Sequence, residues 1–362
     1  MSSEREASLN ALLAGVGWDG ARREALAGDA STRRYERLHL DGRTAILMDA
    51  PKSAESGPCP PDADEAQRLR LGWNAVSRLA ASRVEAFLAV GAHLKAIGLS
   101  APEVIAADAL SGFALLEDLG DDLFAKVIPG QADEAQLYGE AGKVLAHAQA
   151  MPAPAVLNGA GGPWPLLAYD ALALRANADL FAEWLPQATD VAISDAQRGR
   201  FEGLRDGLIA QAEQFPRAFT IRDYHAENLL WLPNREGLRV VGLLDFQDAL
   251  LGWRGWDLSM LLHDARRDVS PFAASAALGA YLGASGASER EIRTELAVLG
   301  ALNIMRILGL FARLSARDGK PRYVGFMPRM WGHLSGVLQH PDLAGMAELV
   351  EDVAHDYIRA AA

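Results

Sequence analysis

Cysteine is all but absent from this chain: Cys59 is the only one in 362 residues. That excludes an internal disulfide framework and a cysteine-built zinc site, and it suits a reducing compartment. An excess of basic charge is missing too. The 35 lysines and arginines stand against 47 aspartates and glutamates, a formal charge of −12 with both signs interspersed. This balance argues against nucleic acid or an anionic membrane as partner, and an anionic small molecule would need a local basic site. The opening Met1-Ser2-Ser3-Glu4-Arg5-Glu6 is polar and precedes no apolar core of signal-peptide length, so secretion is not expected. The uncharged run 270–288 is mostly Ala, Ser and Gly with Pro271 at its first turn, the composition of a soluble helix. These features lead to the expectation of a cytoplasmic protein with no nucleic-acid, membrane or obligate protein partner. GxxxxGK[ST], GxSxG and HExxH do not occur, and the first of these absences removes the P-loop family. A literal GxGxxG, Gly15 to Gly20, follows a helix-like stretch with no βαβ unit around it and is rejected as a dinucleotide fingerprint.

What is present is an ordinary globular composition, 50% hydrophobic and 23% charged, long enough for two domains. A short helix is predicted over 8–14. Residues 35–40 alternate as a strand and turn at Asp41-Gly42 into 44–48. A loop rich in Pro, Gly, Ser and acid covers 51–65, and Val84, Phe87, Leu88, Gly91 and Leu94 mark one face of a helix that ends near Gly98. Strands are predicted at 102–106 and 113–116, after which 117–120 crosses into a second lobe. Beyond Asp121 helices are expected near 133–150, 166–184, 195–213, 256–267, 271–283, 288–316 and 341–360, broken only by a hairpin over 228–244. The fold class is therefore α+β: a bilobal protein-kinase-like chain with a small β-rich N-lobe over 1–118 and a larger, mainly helical C-lobe over 119–362.

The densest chemistry lies at Ile221-Arg222-Asp223-Tyr224-His225-Ala226-Glu227-Asn228, followed by Leu243-Leu244-Asp245-Phe246. An Asp and an Asn with four residues between them, then a hydrophobic strand ending in Asp-Phe, is the arrangement that holds a base, a metal and nucleotide phosphates together. Strands over 228–232 and 238–244 flank turn chemistry at 233–237; pairing that sets Asn228 near Gly242 leaves Asn228 and Asp245 roughly 10 Å apart at one open end. An amide oxygen and a carboxylate are hard donors suited to Mg²⁺. Asp223, upstream of the strand, would accept a proton from a substrate hydroxyl. Any one of these residues alone is more often a local cap or turn former; their joint placement favours chemistry.

Gly28-Asp29-Ala30-Ser31-Thr32-Arg33-Arg34-Tyr35 precedes the first strand and is the candidate loop over ATP phosphates. Small residues such as Ser31 and Thr32 let amides approach, and Arg33 or Arg34 adds charge; a solvent-facing basic turn is the alternative. Arg222 and His225 are read as supports of the catalytic loop, His225 more as a held histidine than a reactive one. Gln247 and Asp248 either face the cleft or form a solvated turn. Asp257 is read as a helix cap or as a brace for the catalytic-loop backbone. Trp164, Trp253 and Trp256 are candidates for a sugar-facing wall, with core packing the default for each.

These segments, together with Leu47 to Pro51, Leu115 to Gly120, Leu244 to Ala249 and Arg306 to Leu314, resemble the aminoglycoside phosphotransferase/choline kinase-like superfamily, and within it the amino-sugar kinases of bacterial cell-wall recycling. The resemblance implies ATP and Mg²⁺ as cofactors, and transfer of the γ-phosphate to the anomeric hydroxyl of N-acetylmuramate or N-acetylglucosamine. It implies Asp223 as base, Asn228 and Asp245 as metal ligands, and the crossing from Glu117 to Leu119 as the segment whose backbone holds adenine. Three positions depart from the pattern. Ile221 stands where relatives commonly carry His, Met48 falls where many kinases place the β3 lysine, and the stretch 53–82 is longer than the usual connection. A kinase for another small hydroxyl substrate (an aminoglycoside, choline, homoserine or another sugar) and a nucleotide-binding pseudokinase with a regulatory role are the alternatives.

Overall fold

The computed structural model describes residues 3–26, 32–52, 56–130 and 132–361. Ser31 and the rest of 27–31, the core of the expected phosphate loop, lie outside the described residues. The chain is mixed α+β, as its patterning predicts, and its contacts group it into two units. One comprises residues 1–132, 151–167 and 226–250, the other 133–150, 168–225 and 251–362.

The first unit is built on a five-stranded antiparallel sheet: β1 (Arg22–Ala25), β2 (Arg34–Leu40), β3 (Arg43–Asp49), β4 (Val104–Asp108) and β5 (Phe113–Glu117), in the order β1-β2-β3-β5-β4. The β2–β3 turn is the one read from Asp41-Gly42: both residues take positive φ, 50° and 75°, which matches the right-handed twist of the flanking strands. Alternation then sorts the two faces. Leu38, Ala45, Leu47, Phe113 and Leu115 pack with Leu9, Leu13 and Trp18 into a core. Tyr35 lies opposite Met48, and Arg37 opposite Ile46, on the alternate positions. The first helix, Ser3–Gly15, is longer than expected. Arg5 ties it to the sheet by a 2.5 Å ion pair with Asp49 and by stacking over Phe113 at 4.4 Å.

The helix Val84–Ala96 carries the apolar face the sequence marked, and the stretch between the 51–65 loop and this helix, expected as helical sequence, contains the short helices Glu65–Leu71 and Trp73–Val76. Two hairpins complete this unit. Val156–Gly159 pairs with Gly162–Pro165, and Leu229–Trp231 with Val241–Leu243. The second corrects the predicted pairing: Gly237–Val240 is a 3₁₀ turn, not strand, so Gly242 faces Leu230, not Asn228. The amide of Leu244 instead donates to the Asn228 carbonyl at 2.9 Å. Asp245 is therefore one residue past the partner of Asn228, closer than the sequence reading set it.

The second unit is helical, with long segments Glu134–Ala150, Ala171–Ala188, Asp195–Ala212, Pro271–Ser285, Glu289–Ala316 and Ala344–Ala361. Ser194 with Gln197, and Ser270 ahead of Pro271, cap their helices as such sequences should. Glu289–Ala316 is long and apolar enough to cross a membrane by composition, yet 83% of its apolar window is buried inside the protein, as befits a core helix. The expectation that only one hairpin interrupts the helices fails: Val156–Gly159 and Gly162–Pro165 form another in the first unit, and Arg217–Thr220 pairs with Leu250–Trp253. The helix Met327–Val337 was also not anticipated.

Candidate active site

In the second unit, the segment that presents Asp223 is fixed on both sides. The amides of Ile221 and Arg222 donate to the two carboxylate oxygens of Asp257 at 2.7 and 2.8 Å. Asp257 is fully buried near the start of the helix Arg254–Leu262. Burial pushes its pKa up to about 7 against the pull of the two amides, and the neighbouring Asp223 charge adds to the rise. The helix start is itself held: Arg254 meets Glu295 at 2.5 Å, and the Gly255 amide donates to the same carboxylate at 3.0 Å. Trp256 Nε1 donates to the Arg222 carbonyl at 3.3 Å, and the Tyr224 hydroxyl to the Ala141 carbonyl at 3.0 Å. Arg222, buried and with φ of 85°, lies over Tyr169 at 5.1 Å. Asp223 is half-buried between these anchored neighbours. Ile221 is buried, and this loop is braced through its backbone. His225 is buried as well.

Arg306 went unread as a functional candidate. It lies 5.9 Å from the Trp256 ring; burial lowers its pKa, and Tyr169 and Asp223 oppose that shift. The available signal was its setting, an arginine inside the apolar run Ile304-Met305-Arg306-Ile307-Leu308.

In the first unit, the end of the 229–243 hairpin carries Asn228 and Asp245. Asp245 has φ of 54°, a left-handed conformation that costs energy for a non-glycine residue and recurs at functional turns. Arg33 pairs with its Oδ1 at 2.5 Å, and Gln247 Nε2 donates to the same oxygen at 3.0 Å. Gln247 also reaches Asp248 at 3.2 Å, and Asp248 accepts from the Ala80 amide at 2.6 Å. Burial opposes the charge of Arg33, but Tyr35, Asp245 and Asp248 outweigh it and raise its pKa. Arg33, one of the residues expected to supply the charge that Met48 does not, is thus paired with Asp245, while Met48 itself is buried opposite Tyr35. Thr32 shares a hydrogen bond with Ser82 at 2.7 Å.

Glu117 uses its side chain on Arg235, at 2.6 Å, and its amide on the Glu103 carbonyl, at 2.8 Å; Leu119 is half-buried two residues on. Of the three tryptophans, Trp253 and Trp256 are buried, and Trp164 is half-buried. Among the described residues no group of three or more His, Cys, Asp or Glu could hold a metal. Asn228 and Asp245 offer one amide oxygen and one carboxylate, a donor set that fits magnesium, whose remaining positions go to water and phosphate oxygens.

A small antiparallel sheet followed by a helical part, with an Asp-containing loop braced from a helix start and an Asp-Phe turn after a hairpin, defines a kinase-like phosphotransferase class. The chain belongs to the phosphotransferase enzyme family, whose model matches residues 22–293. It is 52% identical over 345 residues to the N-acetylmuramate/N-acetylglucosamine kinase of Caulobacter vibrioides, covering 95% of each chain. Among solved structures, a choline/ethanolamine kinase family protein from Mesorhizobium loti aligns with a TM-score of 0.56 at 18% identity, over 96% of this chain and 98% of that one. The streptomycin-ATP-APH(2")-IIa ternary complex aligns at 0.54 with 13% identity, over 94% and 97%. At these identities the structural likeness shows the fold.

Proposed function

We propose that this protein is an ATP-dependent cytoplasmic kinase that phosphorylates the anomeric hydroxyl of N-acetylmuramate, N-acetylglucosamine or both, as a step in peptidoglycan recycling. The observation that carries the reading is the 52% identity to a kinase of that name across 95% of both chains. Residues 1–118 cover the nucleotide and 119–362 supply the catalytic loop. Asp223 takes the hydroxyl proton and orients the oxygen for in-line attack; the loop anchored on Asp257 keeps it in place. A magnesium ion held by Asn228 and Asp245 would neutralise phosphate charge when bound. Arg33 adds a fixed cation beside Asp245, Thr32 approaches the phosphates, and the backbone from Glu117 to Leu119 borders adenine. A loose phosphoryl transition state asks mainly for positioning and charge neutralisation, which is what these residues supply.

The test is ADP release with Mg-ATP over a panel of amino sugars, aminoglycosides and amino alcohols, with the phosphate position read by ³¹P and ¹H NMR. A sugar 1-phosphate from either N-acetylated sugar is expected. Turnover confined to an aminoglycoside or amino alcohol would replace the substrate, and nucleotide binding without turnover on any acceptor would favour a regulatory pseudokinase.

A further inference from the structure

The long stretch before the helix Val84–Ala96 had no purpose in the sequence, and the fold gives it one. Residues 58–61 and 78–80 line a cavity of about 360 Å³ together with residues 163–165, Leu167 and the turn 247–249. All of these belong to the first unit. The chemistry of the wall is uneven. Trp164 offers a half-buried aromatic ring flanked by Pro163 and Pro165, the proline rings of 58–61 add apolar surface, and Gln247 and Asp248 add an amide and a carboxylate. Arg78 is the one cation among the lining residues, and its Nη1 rests 3.3 Å from Cys59 Sγ.

The wall is also held at a cost. Arg78, Ala81 and Ser82 all take positive φ, 59°, 55° and 54°, without being glycine. Such conformations persist where surrounding contacts over-determine them, and they cluster at binding sites. Here the contacts are the Ala80 amide on Asp248 and the Ser82 hydroxyl on Thr32. Through Gln247, Asp248 shares a hydrogen-bonded chain with Asp245. The cavity is thus joined to the turn that carries the expected metal ligand.

We propose that this cavity is the acceptor pocket, that Trp164 packs against the apolar face of an N-acylated amino sugar, and that Arg78 pairs with the carboxylate of an acid-bearing one. This rests on the amino-sugar kinase reading and deepens it: Arg78 would set the preference between N-acetylmuramate, which carries a lactyl carboxylate, and the neutral N-acetylglucosamine. A planar guanidinium binds a carboxylate through two charge-assisted bonds, a geometry a lysine only partly reproduces. Proline and tryptophan surfaces suit the C–H faces and acetyl methyl of such sugars.

Steady-state kinetics on both sugars with wild type, Arg78→Ala, Arg78→Lys and Trp164→Ala test this. Arg78→Ala should raise KM for N-acetylmuramate about tenfold or more beyond any rise for N-acetylglucosamine, the size of a lost charge-assisted contact. Arg78→Lys should recover part of that selectivity. Trp164→Ala should raise KM for both sugars by about tenfold, with kcat falling less than KM rises. Equal effects of Arg78→Ala on the two sugars, or an unchanged KM in Trp164→Ala, would overturn the pocket assignment while leaving the kinase reading intact. If Arg78→Ala does not fold, Arg78→Lys and Trp164→Ala decide the matter. A wild-type enzyme inactive on both sugars would overturn the kinase reading and the pocket's ligand with it.

Discussion

Asp257 receives the backbone amides of Ile221 and Arg222 on its two separate oxygens, at 2.7 and 2.8 Å, so a single buried carboxylate holds the two residues that precede Asp223. The same residue dictates a pH dependence. Its pKa in the folded chain is about 7 against an ordinary 3.8, so between these values the native state holds a proton that the unfolded state has released. The stabilisation from this group is full below about pH 4 and is lost as pH rises through about 7. Asp257→Asn removes that slope and turns an amide NH₂ toward one of the two donors, at a cost of about 1–3 kcal/mol. Thermal unfolding from pH 4 to 8 should show the wild-type midpoint falling more steeply than that of the variant; parallel profiles would contradict the assignment. The kcat of Asp257→Asn should fall as well, because the loop loses one of its anchors.

Asp223→Asn and Asp245→Asn separate the two roles proposed for these carboxylates. Removing a general base costs about 10²–10⁴-fold in rate, and Asp223→Asn should show that loss in kcat with the magnesium dependence unaltered. Asp245→Asn should lose at least as much and, in addition, require more magnesium for half-maximal rate, since it keeps an oxygen donor but loses the charge. A magnesium titration of residual activity distinguishes them. Near-wild-type turnover in either variant would remove its residue from the mechanism.

Arg33 is proposed to supply the positive charge that Met48 does not. The ion pair with Asp245 leaves the Arg33 side chain only 10% exposed, a setting in which a charge-assisted contact counts for more than at the surface. Arg33→Met should raise KM for ATP about tenfold or more, and Arg33→Lys should recover part of it. Nucleotide titration by calorimetry provides an independent reading. Unchanged ATP affinity in Arg33→Met would show that the pair serves only to hold the Asp245 turn.

Much of this arrangement was legible because it is local. The Asp41-Gly42 hairpin, the helix face from Val84 to Leu94 and the placing of Asn228 and Asp245 at one end of a hairpin each sit within one short window of sequence. The register of the hairpin was misread because Leu238, Arg239 and Val240 look like strand but wind into a 3₁₀ turn. β1 escaped notice because all four of its residues are exposed. Gly162–Pro165 escaped because two prolines argue against a strand. The pairs that join distant segments had no local signature at all: Arg33 and Asp245 lie 212 residues apart, and Ala80 and Asp248 lie 168 apart.

Phe246 transmits packing to the Asp245 turn, and Gly91 is the position that tests this. The Phe246 ring is fully buried and stacks on Phe87 with centroids 4.7 Å apart. A Cβ at Gly91 would sit 3.3 Å from two atoms of the same ring, so the helix Val84–Ala96 approaches this closely only because residue 91 has no side chain. Gly91→Ala gains about 1 kcal/mol of helix propensity and needs a shift of a few tenths of an ångström, so its net effect should be small. Gly91→Leu must displace the ring, which should cost about 1–3 kcal/mol of stability and lower kcat by moving the adjacent Asp245. Phe246→Leu alone opens space and should cost a comparable amount. Because the leucine at 91 would occupy part of the volume the ring vacates, the double variant should be more stable than the sum of the two single losses predicts, with a coupling of about 0.5–3 kcal/mol. Denaturant unfolding of the four proteins measures that cycle, and strict additivity would show that residues 91 and 246 do not share the packing described here.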